Sequence, residues 1–434
     1  MAELKRVLDT GGLVAVGLAY LVPLTVFTTF GSVTRLTEGH LPLAYLITTA
    51  AMLFTAASYA QLVPAFPSAG SAYAYARGTF GERVGFIVGW VLLLDYLLLP
   101  AINYLVIALY LHAQFPGIPS SALIIVALVL VSVLNVVGIG SVRNVSLLLV
   151  VAQLIFAAVF TVAAFAHADG RFPLEPIYSS TVAWPSILAG SAVLCLSFLG
   201  FDAVSTLSEE ARAPERTVPR AILLTTLCGG LIFTILSYAA ALVVPDWRAL
   251  KVSDSAGLEV MGPLGGRWMI AFFLATYIAG SFASAVAAQA SVSRILFAMG
   301  RDGVLPPSGF GVLSSRFRTP VRAIVIVAVI STVVLLTSLD TLVSIISFGA
   351  LSAFSMVNLA VVKRFLFDER RRGTGNLLRY GLLPLSGLAA TAWLWASLPR
   401  TALLIGLAWL GIGVVYLLIR VARVGEGAPV MEEQ

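Results

Sequence analysis

The chain has 434 residues, of which 59% are hydrophobic and only 11% charged, with a mean hydropathy of +0.98. Soluble domains carry about 25% charged and 45–50% apolar residues, so a soluble fold of this length has too few polar side chains here to cover its surface. Lipid must be the solvent over most of the chain, and the net charge of +6 reads as loop asymmetry, not as a nucleic-acid footprint.

A helix crosses a hydrocarbon core of ~30 Å with about 20 apolar residues. Backbone groups cannot go unpaired in lipid, which leaves helices as the reading for long apolar runs. Twelve runs qualify: 12–34, 42–63, 85–111, 121–140, 145–167, 185–207, 219–244, 268–298, 320–338, 341–362, 380–398 and 402–421. The expected fold is an all-α membrane protein of about twelve transmembrane helices. Lys5 and Arg6 lead into a run too long for a cleavable signal peptide.

The first span carries Pro23 near its middle, followed by Thr25, within Gly17-Leu18-Ala19-Tyr20-Leu21-Val22-Pro23-Leu24-Thr25. The third carries Asp95 ten residues in, roughly 15 Å at ~1.5 Å per residue, which is close to mid-bilayer. A carboxylate there costs at least ~2.5 kcal/mol unless paired, hydrated or protonated. No Lys or Arg lies in the hydrophobic interior of spans one to seven, so a permeating cation, a proton or structural hydrogen bonds must meet it. The fifth span contains no lysine.

The sixth span reads Cys195-Leu196-Ser197-Phe198-Leu199-Gly200-Phe201-Asp202-Ala203-Val204-Ser205-Thr206. A shift of 177 positions pairs Pro23 with Gly200, Thr25 with Asp202, Thr28 with Ser205 and Thr29 with Thr206. Spans one and six are therefore expected to be discontinuous, in matching places of two five-span repeats. Residues 11–167 form the first repeat and 185–362 the second, with two further spans over 380–421. Interrupted helices in corresponding positions are the best sequence pointer to a transporter site, because a break frees polar backbone groups at the midplane. Asp202 at the start of a half-helix also suits a capping role. Span eight contributes Ser281 and Ser284.

Of the 27 basic residues, 21 fall on the side of the termini. Both the N-terminal segment 1–10 and the tail 422–434 are thus expected to be cytoplasmic. His40, His112 and His167 all fall at outer span ends, leaving none at depth for a metal site, and Cys195 and Cys228 read as two buried apolar thiols. No cofactor is expected, and no glycine-rich stretch ends in the Lys-Ser/Thr of a phosphate-binding loop, so ATP should not drive the chemistry.

These residues, with Gly70-Ser71-Ala72-Tyr73-Ala74-Tyr75-Ala76, Leu94-Asp95-Tyr96, the run from Ser197 to Glu210, Ala290-Ser291-Val292-Ser293-Arg294 and Met299-Gly300-Arg301-Asp302, resemble the amino acid–polyamine–organocation superfamily from about residue 10 to 420. Within it they most resemble the bacterial putrescine importer branch. The resemblance implies the leucine-transporter fold, with substrate held between broken spans one and six beside spans three, eight and ten. It also matches Asp202 to an acidic residue used in proton-linked gating by the arginine/agmatine antiporter branch.

Two departures bear on the substrate. Where many amino-acid carriers of the superfamily have a Gly-Ser-Gly-like cradle for the substrate carboxylate, this chain has Pro23-Leu24-Thr25. Proline has no N–H to give, so the cradle suits a diamine better than an amino acid. The gating tryptophan of the antiporter branch falls on Leu196, and Phe198 and Phe201 are candidates to close over the substrate instead, by apolar and cation–π contact.

The expected substrate contacts are Tyr20, Pro23, Thr25, Asp95, Ser197, Phe198, Gly200, Phe201 and Asp202, with Asp95, Asp202, Ser281 and Ser284 coupling movement to a proton or a sodium ion. The expected function is import of putrescine or a related polyamine through the plasma (bacterial inner) membrane. An amino-acid permease on the same fold is the alternative. A membrane-embedded enzyme lacks any His, Cys or paired-carboxylate constellation at depth.

Overall fold

Apolar runs of twenty or more residues have one way to satisfy their backbone in lipid, and the computed structural model is helical almost throughout. It describes residues 8–67, 70–138, 142–178, 182–250, 256–301, 303, 305–317 and 319–424. Residues 1–7 and 425–434 of the expected terminal segments lie outside the described residues, as do Lys251, Asp302 and Arg318. Sixteen helices follow in order: α1 (Thr10–Leu21), α2 (Val26–Leu36), α3 (Leu41–Leu62), α4 (Ser71–Phe80), α5 (Glu82–Gln114), α6 (Ser120–Val137), α7 (Val142–His167), α8 (Trp184–Leu194), α9 (Pro214–Val243), α10 (Gly262–Arg301), α11 (Pro307–Phe310), α12 (Val321–Ser331), α13 (Leu339–Val361), α14 (Thr374–Leu377), α15 (Leu383–Ala396) and α16 (Arg400–Val424). Among the described residues there is no strand. A single parallel bridge joins Leu8 to Ala211.

Among the described residues ten segments are long and apolar enough to cross a membrane, and Val321–Leu336 is a shorter apolar helix. The segment expected at 380–398 is less regular. It combines α14, a wide π turn over Leu378–Leu382 and α15. Cys195 is buried as expected, whereas Cys228 is only half-buried.

Burial sorts the helices. A helix apolar on every side belongs in a core or in lipid, and both occur here. α5 is buried along most of its length and packs against α10 and α13. α6 instead turns Val126, Val129, Leu130 and Val133 outward, as a lipid-facing helix does. Gly349 of α13 meets α5 at the backbone of Val91 and Asp95, where an added Cβ would sit 2.9 Å from the Val91 carbonyl oxygen. Only a residue without a side chain lets α13 approach the acidic stretch of α5 so closely.

Two tryptophans fasten α16 to α5. Trp90 Nε1 donates to the Trp409 carbonyl at 2.9 Å and Trp409 Nε1 donates to the Trp90 carbonyl at 2.8 Å. Their rings stack at 4.8 Å. Such a pair is worth about 0.5–1.5 kcal/mol beyond area burial, and each hydrogen bond a further ~0.5–1.5 kcal/mol. Trp409→Leu is expected to lower the thermal stability of the purified protein by about 1–3 kcal/mol, as read from a melting curve. Uptake per inserted molecule should stay close to wild type, because Trp409 belongs to α16, a mostly exposed helix, and lines no part of the central helices' cavity.

Candidate substrate site

The site is built where helical structure fails. Val22 precedes Pro23, whose ring crowds the α conformation of the residue before it. Val22 takes φ 51° and ψ 88°, ending α1, and a tight turn over Pro23–Thr25 leads into α2. A β-branched residue rarely accepts positive φ, so this is local strain held by the surrounding packing. Thr25 satisfies the carbonyls so exposed: its hydroxyl donates to Val22 O at 2.7 Å and to Leu21 O at 3.1 Å.

The second interruption lies between α8 and the residues that follow it. After α8 the chain tightens over Cys195–Phe198, extends at Leu199 and turns at Gly200 with φ 122°. It resumes as a tight turn over Ala203–Glu210, whose hydroxyls bond back onto their own carbonyls, Ser205 to Asp202 O and Ser208 to Ser205 O, each at 2.6 Å. Gly200 lies directly against Tyr20, so the two interruptions touch. A Cβ there would fall 2.7 Å from the Tyr20 ring.

Tyr20 packs with Leu99, Ala203 and Ala288, one residue from each of four elements. On one side of this plug lies a small cavity of about 30 Å³. Tyr20, Thr25, Asn103, Tyr277, Ser281 and Ser284 are among its lining residues. Asn103 Nδ2 donates to Ser284 Oγ at 3.2 Å, and Ser284 Oγ donates to the Tyr20 carbonyl at 3.4 Å. A water needs roughly 10–15 Å³ of such space, so the cavity has room for about two waters and none for a diamine.

Neither of the two aspartates is among the lining residues of this cavity. Asp202 is buried. It accepts a hydrogen bond from the Tyr96 hydroxyl at 3.0 Å and one from Gly200 N–H at 3.3 Å. Its carboxylate therefore points across to α5 and back to the turn, and makes no cap bond to Ala203–Glu210. Asp95 is also buried, one helical turn before Leu99, and its carboxylate is close enough to feel that of Asp202. Among the described residues neither forms an ion pair, and Asp95 accepts no hydrogen bond. The fold thus brings together a carboxylate pair at depth that the spacing of Asp95 and Asp202 in the sequence does not lead one to expect, and without a cationic partner it leaves a charge that a mobile cation or a proton must balance.

Aromatic side chains pack next to the cavity-lining residues Thr28 and Tyr277. Phe27 of α2 meets Phe160 at 5.0 Å and Phe273 at 5.3 Å, edge to face. Tyr110 donates to the Phe27 carbonyl at 2.9 Å, and the Thr28 and Tyr277 hydroxyls bond each other. Thr28 and Tyr277 line the cavity, so this aromatic cluster borders it.

A family profile described as amino acid permease matches residues 12–428. The chain belongs to the amino acid permease family. This permease is 39% identical over 425 residues to the low-affinity putrescine importer PlaP of Escherichia coli strain K12, covering 96% of this chain and 93% of that protein. It is also similar to the branched-chain amino acid permease BcaP of Bacillus subtilis strain 168, at 25% identity over 83% of this chain and 81% of the relative. A third relative is the vacuolar cationic amino acid transporter 4 of Arabidopsis thaliana, at 27% identity over 83% of this chain and 63% of the relative. The permease is a multi-pass membrane protein and a transporter.

The candidate residues fall into three groups in the permease. Tyr20, Thr25, Ser281 and Ser284 line the cavity. Asp95, Gly200 and Asp202 lie outside its lining, as described, while Pro23 shapes the turn without lining the space. Ser197, Phe198 and Phe201 face elsewhere. Ser197 Oγ meets the Tyr45 hydroxyl at 3.2 Å, Phe198 packs edge-on against Phe233 at 5.4 Å, and Phe201 packs on Phe354 at 5.1 Å and Tyr59 at 5.7 Å. In this conformation the two phenylalanines are interhelical packing and do not cover the cavity.

Tyr96, Asn103 and Tyr277 are functional candidates that sequence reasoning passed over. A signal existed for two of them. Asn103 is eight residues from Asp95 and Tyr277 four from Ser281, spacings that put each on the same helix face as a residue already singled out.

Proposed function

We propose that the permease imports putrescine or a related small polyamine across the bacterial plasma membrane by alternating access, coupled to a proton or sodium gradient. The observation that carries this reading is the pair Asp95 and Asp202, buried beside the two interruptions with no cationic side chain paired to either. A diamine brings two ammonium groups and no carboxylate. It offers the charge such a pair lacks and makes no demand on the N–H that Pro23 cannot supply. The full-length similarity to a putrescine importer supports the same substrate class.

The mechanism follows from what closes the site. In this cycle the Tyr110, Phe27 and Tyr277 contacts act as one gate and the Tyr20 plug, with Tyr96 on Asp202, as the other. Substrate entry has to part the first set while the second stays shut, and release to the other side has to open the second after the first has closed again. The chain just before α1 is tied to the end of span six, since Leu8 N–H donates to Glu210 O at 3.0 Å and Arg212 N–H donates to Leu8 O at 2.8 Å. The half-helices on that side are thereby joined to move together, as expected of two repeats over 11–167 and 185–362. The excess of basic residues on the side of the termini supports a cytoplasmic position for both. For coupling, either the carboxyl pair takes up a proton or Ser281, Ser284 and the Tyr20 carbonyl hold a sodium ion at the cavity.

Uptake of radiolabelled putrescine into proteoliposomes, with proton and sodium gradients imposed separately, tests the proposal. The expected result is accumulation above the outside concentration under one of the two gradients and none without a gradient. An excess of unlabelled diamine should compete and branched-chain or cationic amino acids should not. Amino acids outcompeting putrescine would overturn the substrate assignment in favour of an amino-acid carrier.

A further inference from the structure

A far larger cleft lies away from the central cavity, on the side of the bundle where α5, α7 and α10 meet. It measures about 900 Å³, at the upper end of the roughly 300–1,000 Å³ usual for ligand sites. Ten of its twelve lining residues are apolar, and the two polar ones, Gln114 and Arg267, sit together where α5 ends and α10 begins. The polarity is therefore confined to one mouth of an otherwise apolar groove.

Arg267 directly follows Gly266, where the helical dihedrals of α10 are interrupted at φ 55° and ψ −136°. Its side chain is exposed and forms no ion pair among the described residues. Trp268 beside it is also exposed, and tryptophan marks the headgroup level of membrane helices. The floor of the groove reaches Phe282, fifteen residues further along α10, or ~22 Å at ~1.5 Å per residue. Half of a bilayer with its headgroups is about as deep, ~20–22 Å. A cation at headgroup level thus heads an apolar channel that extends to the midplane.

We propose that this cleft binds an anionic phospholipid, with an acyl chain lying along α10 from Ala271 to Phe282 and the phosphate held by Arg267 and Gln114. An anionic headgroup is favoured over a zwitterionic one because the latter carries an ammonium group to an arginine that has no counter-ion. A diamine substrate is excluded from the same place by like charge and by the lack of an apolar chain. The helix that bears the lipid is also the helix that lines the central cavity: Phe282 lies in the cleft, while Ser281 and Ser284 face the cavity. A bound lipid therefore rests on the back of a cavity wall and braces it.

The test uses the full chain, purified and delipidated, with phosphatidylglycerol or phosphatidylcholine added back and retention read by native mass spectrometry. One phosphatidylglycerol should be retained about tenfold more tightly than phosphatidylcholine, the factor that corresponds to ~1.4 kcal/mol. Arg267→Gln, at an exposed position that leaves the packing intact, should abolish that preference. Ala275→Trp, on the lipid-facing side, should fill the groove and remove retention while Arg267 stays in place. Equal retention of the two lipids by the wild type, or an unchanged preference in Arg267→Gln, means boundary lipid only and overturns the proposal. The readout is lipid retention, so either result stands apart from whether the permease carries putrescine.

Discussion

Proteoliposomes carrying Asp202→Asn are expected to take up putrescine about 10- to 100-fold more slowly than wild type at the same gradient and reconstituted amount. The substitution keeps the shape of the side chain and removes its charge. It also disturbs the hydrogen bonds, because the carboxylate now accepts from both Tyr96 and Gly200 and an amide has only one oxygen to do so. Hydrogen bonds to a charged group contribute about 1.5–3 kcal/mol, and a cationic substrate or proton meeting this group loses a term of that size. Membrane insertion and folding should survive, since removing a buried charge relieves its desolvation. Asp95→Asn should impair uptake similarly. The double variant should fall by less than the product of the two, because residues in one electrostatic field are not additive. Wild-type uptake by both single variants would remove the carboxyl pair from the mechanism.

Much of this architecture was legible in the sequence because lipid imposes so strict a condition. A run of apolar residues long enough to cross has no alternative to a helix, so the expected run 85–111 corresponds to α5 at Glu82–Gln114 and 42–63 to α3 at Leu41–Leu62. A carboxylate inside such a run stands out for the same reason, and Asp95 and Asp202 are visible on that ground alone. The broken stretches are legible as breaks and illegible in detail. Once Leu199 extends and Gly200 takes a positive φ, side chains no longer follow a period of 3.6 residues. Phe198 and Phe201 then cannot be aimed by counting, and they face Phe233, Tyr59 and Phe354. Tyr96 escaped for a related reason. Its partner lies 106 positions away across one of those breaks, and no local pattern connects them.

Adding one methyl group at Gly200 should be among the most damaging small changes available. Gly200→Ala places a side chain at φ 122°, a region that costs non-glycine residues about 1–3 kcal/mol. The new Cβ also falls 2.7 to 3.0 Å from three atoms of Tyr20, and overpacking of this kind costs typically ~1–3 kcal/mol. The two terms predict a loss of about 2–6 kcal/mol, read as a lowered melting temperature of the purified protein, together with strongly reduced uptake. They can be separated in part. Tyr20→Ala in the Gly200→Ala background removes the ring atoms at 2.7 and 3.0 Å but keeps the Tyr20 Cβ at 2.8 Å and leaves the backbone strain, so it should recover only a minor part of the lost stability and little of the transport, because Tyr20 is itself the plug. A Gly200→Ala variant that melts and transports like wild type would mean that the chain does not turn at this point with Tyr20 laid against it. The contact between the two interrupted segments, on which the closed state of the cavity rests, would then have to be given up.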